Sequence, residues 1–201
     1  MEKTVAGLLL AAGGGRRMGR PKAAVELDGE PLVRRGARAL GAAGLDPVVV
    51  VLGAGLPGTA DLLDEGTTWV PAPGWDTEGQ AASLRAGLDA LSGSDALAVL
   101  VALVDTPGIG PEALARVAAR ATAPDVIARG AVGGRAGHPV LLGRDHWEAV
   151  RAAATGDAGA RGFLRGRGDV VAVEIGDVAV EDDLDTPDDL QRWNRREEAG
   201  R

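Results

Sequence analysis

Short, uninterrupted apolar runs alternate along this chain with stretches that have helical spacing. The runs Val5 to Ala11 and Ala96 to Val104 are each about as long as one strand and contain no charged residue. Strands that are apolar at every position are buried on both faces, as in parallel sheets covered by helices on both sides. Helical stretches between them supply right-handed crossovers, which bring successive strands into the sheet in the same direction. The pattern predicts an α/β fold with three layers, α/β/α, of Rossmann-like type on a mostly parallel sheet.

The same patterns place the other elements in one domain, 1–196, followed by a frayed tail at 197–201. The Gly-rich stretches 130–137 and 156–168 are too short for linkers and are predicted to be surface loops over the site. Helices are predicted at Pro31 to Gly44, Gly79 to Leu91, Glu112 to Ala121 and Pro187 to Arg196. Further strands are predicted at Pro47 to Leu52, Thr67 to Val70, Val126 to Arg129, Pro139 to Leu142 and Val170 to Glu174.

Composition excludes several classes of protein. The 201 residues carry a formal net charge of −7 and are only 2% aromatic, which disfavours nucleic-acid binding through bulk charge or stacked bases. The absence of cysteine excludes disulfides and thiolate metal sites, and two histidines are too few for a His-rich site. No apolar run is long enough to span a bilayer, and the apolar start leads directly into glycines and arginines, unlike a secretion signal. We therefore expect a cytoplasmic protein without nucleic-acid or membrane partners.

A Gly- and Arg-rich loop follows the first predicted strand, in the sequence LAAGGGRRMGRPK from Leu10 to Lys22. Its glycines allow the backbone N–H groups to approach an anion closely, and its four cations are concentrated in a chain that is acidic overall. A triphosphate needs this combination of N–H groups and positive charge. The loop departs from a Walker A loop because Lys22 precedes Ala23, and its glycine spacing is one residue too long for a dinucleotide fingerprint.

Two acidic segments complement this loop. Asp105 directly follows the most apolar strand, where parallel sheets bind ligands, although an Asp that caps the turn through Thr106 is an alternative. Mg²⁺ needs only one or two carboxylates besides phosphate oxygens. Near the end of the chain, Asp183 and Asp185 alternate about a leucine and precede a helix that Thr186 is predicted to cap. A cation between Asp105 and this second segment would relieve the repulsion of like charges.

The loop resembles the signature L-A-[AG]-G-x-G-x-R-M-G-x-x-K of the MobA-like NTP transferases, and most closely that of their molybdenum cofactor cytidylyltransferase branch. The family implies a Rossmann-like sheet that binds a nucleoside triphosphate and Mg²⁺ and transfers a nucleotidyl group to an acceptor phosphate. It also implies catalytic roles for Arg17, Lys22 and Asp105, the first two as phosphate ligands that offset charge on the leaving pyrophosphate. The resemblance assigns nucleotide binding to Leu10, Ala11, Ala12, Gly13, Gly15, Arg17, Gly19 and Lys22.

Five further motifs extend the resemblance. Asp105 in DTP matches the metal-binding Asp of the family's D-x-P element, and DLDTPDDL matches an element that supplies Asp185 first and Asp183 second to the metal and phosphates. The segment WDTEGQAASLRAGL resembles a stretch that meets the nucleotide, here through Gly79, Gln80 and Ser83, with Gln80 in place of the usual Met. The segments GHPVLL and GARGFL imply acceptor-binding roles for His138 and Arg161.

The resemblance implies three functions to be weighed. The leading one is Mg²⁺-dependent transfer of CMP from CTP to a phosphate acceptor such as molybdopterin cofactor, because an LAAG opening is typical of the cytidylyltransferases and LAGG of the guanylyltransferases. The second is an oxidoreductase that reduces a pigment with NAD(P)H, since some very similar sequences are named for nicotine blue. The third is a non-catalytic protein that binds and delivers molybdenum cofactor, in contact with a molybdoenzyme or chaperone. Base, acceptor and oligomeric state stay open.

Overall fold

The computed structural model describes residues 4–180 and 182–200, without the side chains of 197–200. It contains a seven-stranded sheet with helices on both faces and a separate two-stranded hairpin. The helices are α1 (Leu32–Ala42), α2 (Gln80–Leu91), α3 (Pro111–Ala118), α4 (Trp147–Ala153), α5 (Arg161–Leu164) and α6 (Pro187–Gly200). The strands are β1 (Val5–Ala11), β2 (Glu26–Leu27), β3 (Glu30–Pro31), β4 (Val48–Leu52), β5 (Thr68–Pro71), β6 (Ala98–Leu103), β7 (Ile127–Val132), β8 (Arg135–Gly143) and β9 (Val171–Glu174).

One half of the sheet is parallel, in the order β5-β4-β1-β6. In this half Leu8 of β1 lies opposite Val49 of β4 on one side and Val101 of β6 on the other. Strands β1, β4 and β6 are uninterrupted apolar runs of the sequence and are covered on both faces, whereas the edge strand β5 is largely exposed. The predicted three-layer α/β fold with a mostly parallel sheet is confirmed.

The other half of the sheet, β8-β7-β9, departs from the expected crossover pattern. β8 runs antiparallel to both β6 and β7, and the stretch 130–137, which we expected to be a loop, forms the turn of the β7–β8 hairpin and the adjoining ends of both strands. A tight turn at Gly133 and Gly134 joins the two strands, and both residues have positive φ. The Glu174 carboxylate accepts hydrogen bonds from both backbone N–H groups, at 3.0 and 3.2 Å. The outer part of the hairpin is polar and Gly-rich, so it lacks the apolar run that marks the buried strands.

The core consists of two layers that meet at β1. Leu9 belongs to the layer under α1 and α3, whereas Leu8 belongs to the layer under α2. Each of the helices α1 and α2 brings a glycine against this strand: a Cβ on Gly36 would lie 2.9 Å from Leu9, and one on Gly87 would lie 2.4 Å from Leu8. The small residues let both helices approach β1 closely, so the strand that leads into the Gly/Arg loop is held from both sides.

The last helix begins as predicted. The Thr186 hydroxyl accepts the backbone N–H of Asp189 at 3.3 Å, and the Asp189 carboxylate accepts the backbone N–H of Thr186 at 2.7 Å. This reciprocal pair is a capping box, with Pro187 at the first helical position. The described backbone is helical as far as Gly200, beyond the predicted end at Arg196, and of the tail predicted at 197–201 the final residue lies outside the described residues.

Within 4–180 and 182–200, no helix is long and apolar enough to cross a membrane.

Candidate active site

The Gly/Arg loop leaves the end of β1 and folds back on itself. Gly15 has a φ of +57°, and a Cβ there would lie 2.0 Å from the carbonyl oxygen of Arg20, so the tight turn requires glycine. The Met18 N–H donates to the Gly15 carbonyl at 2.8 Å. By contrast, a Cβ on Gly13 would meet no atom within 4 Å. The backbone beside β1 is therefore open to a ligand, while the rest of the loop is closed by its own contacts.

Trp75 supports this loop from the side. A Cβ on Gly14 would lie 3.1 Å from the indole ring, and one on Gly53, just after β4, would lie 2.6 Å from it. The ring therefore packs where two glycines leave room for it, and it connects the loop with the end of the neighbouring strand. The sequence motif that begins at this tryptophan was predicted only to meet the nucleotide, and the packing role was missed. No spacing signal relates Trp75 to glycines that lie so far from it in the chain.

Lys22 and two acidic residues meet at the end of the loop. The Lys22 ammonium donates to Asp105 Oδ2 and to Asp185 Oδ1, at 2.5 Å each. The Arg17 guanidinium contacts the other oxygen, Asp185 Oδ2, at 2.8 Å. These residues come from three segments that lie far apart in the sequence. Four of the five side chains that the motifs single out as catalytic or metal-binding thus form one network, and Asp183 is the one outside it.

The sheet explains why these segments meet. Asp105 follows β6, which pairs with β1, and the backbone N–H of Val104 donates to the carbonyl oxygen of Leu10 at 3.2 Å. The backbone N–H of Leu184 in turn donates to the carbonyl oxygen of Asp105 at 2.8 Å, and the Leu184 side chain is buried. The C-terminal segment is therefore fixed beside Asp105 by one backbone hydrogen bond and one apolar anchor, and this arrangement delivers Asp185 to the cluster.

Asp183 and Asp185 have different environments. Asp185 is half-buried in contact with Lys22, whereas Asp183 is exposed on the other side of Leu184 in the chain. The alternation seen in the sequence could not separate the two residues, because it does not show which face of the segment turns inward. The structure brings Asp185 to the cluster, and the second metal-ligand position predicted for Asp183 stays a prediction.

The charges of the cluster stabilise each other. The pKa of Asp185 lies below its ordinary value, chiefly because Lys22 donates a hydrogen bond to it, while partial burial acts in the opposite direction. Burial lowers the pKa of Lys22, but the attraction of Asp105 and the hydrogen bonds to both carboxylates outweigh it, so the pKa lies above its ordinary value. Lys22 and Asp185 are therefore both ionised at neutral pH, as a site for a polyanion and a divalent cation requires.

The predicted nucleotide-contacting residues of the second motif lie at the start of α2. Gly79 has a φ of +61°, and a Cβ there would lie 2.1 Å from a carboxylate oxygen of Asp157. The Gln80 amide packs against Gly159, where a Cβ would lie 2.4 Å from Oε1. Ser83 is only 4% exposed. The start of α2 is thus packed against the segment 156–159, and Ser83 lies in the core, where a direct contact with a nucleotide would require a movement.

His138 lies on β8, near the end of β6 from which Asp105 emerges. Val140 of β8 pairs with Val101 of β6, so the histidine precedes this pair by two residues. Burial lowers its pKa to about 4, and the positive charges of Arg129 and Arg161 act in the same direction, while Asp105 opposes them. The imidazole is therefore neutral at neutral pH. Arg161 is exposed at the start of α5, so the predicted acceptor-binding pair combines a neutral ring with a solvated cation.

The donor set suits a hard divalent cation. Across the described ranges, no three or more His, Asp or Glu side chains are grouped so that they could hold a metal ion by themselves. Asp105 and Asp185 supply carboxylate oxygens that share one cationic partner. Mg²⁺ is bound in proteins through one or two carboxylates together with substrate phosphates, so this pair fits Mg²⁺ and would not fit a metal that needs a complete protein cage.

The Gly/Arg loop and the Asp105 carboxylate follow adjoining parallel strands, at the ends where Rossmann-like sheets bind their ligands. The family model described as "MobA-like NTP transferase domain" matches residues 7–172. The chain therefore belongs to this family of nucleotidyltransferases. The matched range ends before Asp185, so the residue that completes the charged cluster lies beyond it.

Two relatives and one solved structure document the similarity. The chain is 36% identical to a molybdenum cofactor guanylyltransferase from Rhodobacter capsulatus, over 96% of each chain. It is 33% identical to a nicotine blue oxidoreductase from Paenarthrobacter nicotinovorans, over 94% of this chain and 95% of the relative. A Mycobacterium tuberculosis protein solved in complex with manganese has a TM-score of 0.78 and 24% identity, covering 96% of this chain and 99% of that one. Similar sequences in this family thus carry the names of two different activities.

Proposed function

We propose that this nucleotidyltransferase transfers CMP from CTP to a phosphate-bearing acceptor of the molybdopterin type, with Mg²⁺, and releases pyrophosphate. One observation carries the proposal: Lys22 and Arg17 meet Asp105 and Asp185 where the glycine loop leaves β1. Cations that can bind phosphates thus lie beside carboxylates that can bind a metal. A binding pocket for an uncharged ligand would not need this arrangement.

The chemistry follows from the placement of these groups. The acceptor phosphate attacks the α-phosphorus of the triphosphate, a new P–O bond forms, and the bond to the pyrophosphate breaks. Lys22 and Arg17 bind phosphate oxygens and offset the charge on the leaving pyrophosphate. Asp105 and Asp185 would hold Mg²⁺, which neutralises phosphate charge and orients the triphosphate. The protein accelerates the reaction mainly by positioning and by fixed charges.

His138 and Arg161 are proposed to bind the acceptor. A neutral imidazole donates one hydrogen bond to a phosphate oxygen without adding charge, and Arg161 supplies the positive charge from the surface. The proximity of Asp105 to His138, which is evident in the electrostatics of the histidine, supports a position for the acceptor close to the triphosphate.

The identity of the base is tested by pyrophosphate release from CTP, GTP, ATP and UTP, each with Mg²⁺ and a molybdopterin-type acceptor. We expect the highest kcat/KM with CTP, because the loop opens with LAAG. The similarity to a guanylyltransferase makes GTP the second candidate. No pyrophosphate from any of the four would refute the proposed transfer.

The second candidate function is reduction of a quinonoid pigment with NAD(P)H, favoured by the similarity to a protein named nicotine blue oxidoreductase. The exposed arginines of the loop could accept a 2′-phosphate. The discriminating assay follows NADPH consumption with a quinonoid dye in the presence and absence of Mg²⁺. Oxidation that is independent of Mg²⁺ would favour this function, and its absence would favour transfer.

The third candidate, a binding protein that delivers molybdenum cofactor to a molybdoenzyme or chaperone, predicts cofactor binding without turnover. A catalytic role is supported instead by one contact network, which contains Lys22, Asp105 and Asp185. Cofactor binding that is unaffected by Lys22→Ala, in a protein that releases no pyrophosphate, would support delivery.

A further inference from the structure

The Lys22 ammonium lies where two carboxylates converge. It is 2.5 Å from Asp105 Oδ2 and 2.5 Å from Asp185 Oδ1, and the second oxygen of Asp185 is in contact with Arg17. Both oxygens of Asp185 therefore already contact a side-chain cation. The Lys22 side chain is only 16% exposed, so the ammonium lies largely within the protein.

We propose that Lys22 is the internal counter-ion of the metal-binding carboxylates, and that a divalent cation replaces it there as the ammonium moves to the triphosphate. The inference rests on the proposed function only in taking Asp105 and Asp185 as the carboxylates that bind the metal. The inference adds that the metal ion and the Lys22 ammonium cannot both occupy the position between the two carboxylates.

Geometry and charge make the two occupants exclusive. Mg²⁺ binds carboxylate oxygens at about 2.0–2.1 Å. An ammonium hydrogen-bonded to the same two oxygens would then lie almost in contact with the metal ion. Repulsion between a single and a double positive charge at such a distance is large even where solvent reaches the site. A metal bound to Asp105 Oδ2 and Asp185 Oδ1 therefore requires that Lys22 give up at least one of its two carboxylate partners.

The exchange makes metal and triphosphate cooperative. A metal ion that binds alone must break charge-assisted hydrogen bonds and leave a half-buried ammonium without an anion. When a triphosphate is present, the ammonium finds phosphate oxygens and Arg17 can leave Asp185 for the same ligand. By linkage, the triphosphate strengthens metal binding and the metal strengthens triphosphate binding to the same degree.

The first test measures the affinity for Mn²⁺ alone, without nucleotide, by the electron paramagnetic resonance signal of the free ion. Lys22→Met removes the competing cation and is expected to bind Mn²⁺ at least about tenfold more tightly than the unaltered protein. The matched control is Arg20→Met, which removes an exposed cation of the same loop that makes no ion pair with a described acid. Equal affinity in Lys22→Met and the unaltered protein, or the same gain in Arg20→Met, would overturn the exchange.

The second test uses the unaltered protein and does not depend on the folding of a variant. The sequence contains only two lysines, Lys3 and Lys22, so ¹³C-labelled lysine gives two side-chain signals, which Lys3→Arg assigns. Saturation with diamagnetic Mg²⁺ in the presence of α,β-methylene-CTP is expected to shift the Lys22 Cε signal. A Lys22 signal unchanged under these conditions would show that the ammonium stays between the carboxylates.

Neither experiment measures turnover, so the two proposals fail separately. If Lys22→Met binds Mn²⁺ more tightly and the unaltered protein releases no pyrophosphate, the exchange is retained and the transferase function is removed. If the unaltered protein releases pyrophosphate and Lys22→Met binds Mn²⁺ with unchanged affinity, the transferase function is retained and the exchange is overturned.

Discussion

Two groups of polar residues near the same end of the sheet are stabilised in opposite ways. Around Lys22, ion pairs outweigh the effect of burial, so that the Lys22 ammonium and the Asp185 carboxylate stay charged. Around His138, burial prevails and two nearby cations add to its effect, so that the imidazole stays neutral. The difference shows that the same end of a sheet can hold a charged site and an uncharged site on neighbouring strands. What distinguishes them is direct contact: Lys22 is hydrogen-bonded to two carboxylates, whereas Asp105 acts on His138 only through its charge.

The largest effect on activity is expected when the charged group around Lys22 loses the lysine itself. Lys22→Ala should lower kcat/KM for pyrophosphate release by about 10³-fold or more, because a fixed charge beside the phosphates is removed. Arg20→Ala is the matched control and should stay within about threefold, since Arg20 is exposed and is not one of the cations that contact Asp105 or Asp185. Steady-state kinetics with unchanged circular dichroism would check both variants. Equal losses in the two would mean that general positive charge, and not the position of Lys22, matters.

The next comparison separates the two alternating acids. Asp185→Asn should lower kcat/KM by about 10²-fold, because the cluster loses a charge that contacts Lys22 and Arg17. Asp183→Asn, on the exposed neighbour, should change it by less than about threefold. The same kinetic assay at several Mg²⁺ concentrations measures both. A larger loss in Asp183→Asn would assign the site to the other acid.

The uncharged group gives a pH-dependent effect on stability. The pKa of His138 is lowered to about 4 from an ordinary value of 6.5, so between these values the unfolded chain binds a proton that the folded chain does not. Stability should therefore fall as the pH falls through this window, by at most about 3 kcal/mol. Urea unfolding at pH 7 and pH 5 measures the difference, which should shrink in His138→Gln. An unchanged difference in that variant would place the acid sensitivity elsewhere.

A smaller effect tests the support of the loop. Gly53→Ala would bring a Cβ to 2.6 Å from Trp75 and 2.8 Å from the backbone oxygen of Ala12. The displaced loop should bind triphosphate about tenfold more weakly, a difference of about 1.4 kcal/mol. Gly41→Ala is the control, because a Cβ there meets nothing within 4 Å and lies in a helix, where alanine is favoured. Calorimetry with α,β-methylene-CTP measures both, and an unchanged affinity in Gly53→Ala would show that Trp75 does not hold the loop.

The parallel half of the fold could be predicted because its information is local. Continuous apolar runs such as Val48–Leu52 give both the type of strand and its burial, and β1 was predicted with the bounds that the structure has. The inner parts of β7 and β8 were predicted as strands at 126–129 and 139–142, but the outer parts and the antiparallel pairing could not be predicted in this way. The outer part of the β7–β8 hairpin carries exposed residues such as Arg135 and Ala136, and its turn is stabilised by Glu174, which is about 40 residues away in the chain.

The candidate site likewise contains parts that a short segment of sequence predicts and parts that depend on contacts between distant segments. The loop motif and Asp105 could be identified because each is a short segment with its own chemistry. The choice of Asp185 required the backbone hydrogen bond between Leu184 and Asp105, which no spacing reveals. The place of Trp75 depends on two glycines from different segments, and the burial of Ser83 depends on the packing of α2 against the sheet.

The anchoring of Leu184 beside Asp105 has a consequence for synthesis of the protein. The ribosome makes the loop and the first carboxylate early, whereas the second carboxylate emerges only after every strand of the described sheet has been translated. A product that terminated at position 181 would keep these strands and would still lack half of the acidic pair. The charged cluster is therefore completed only after the sheet has been synthesised.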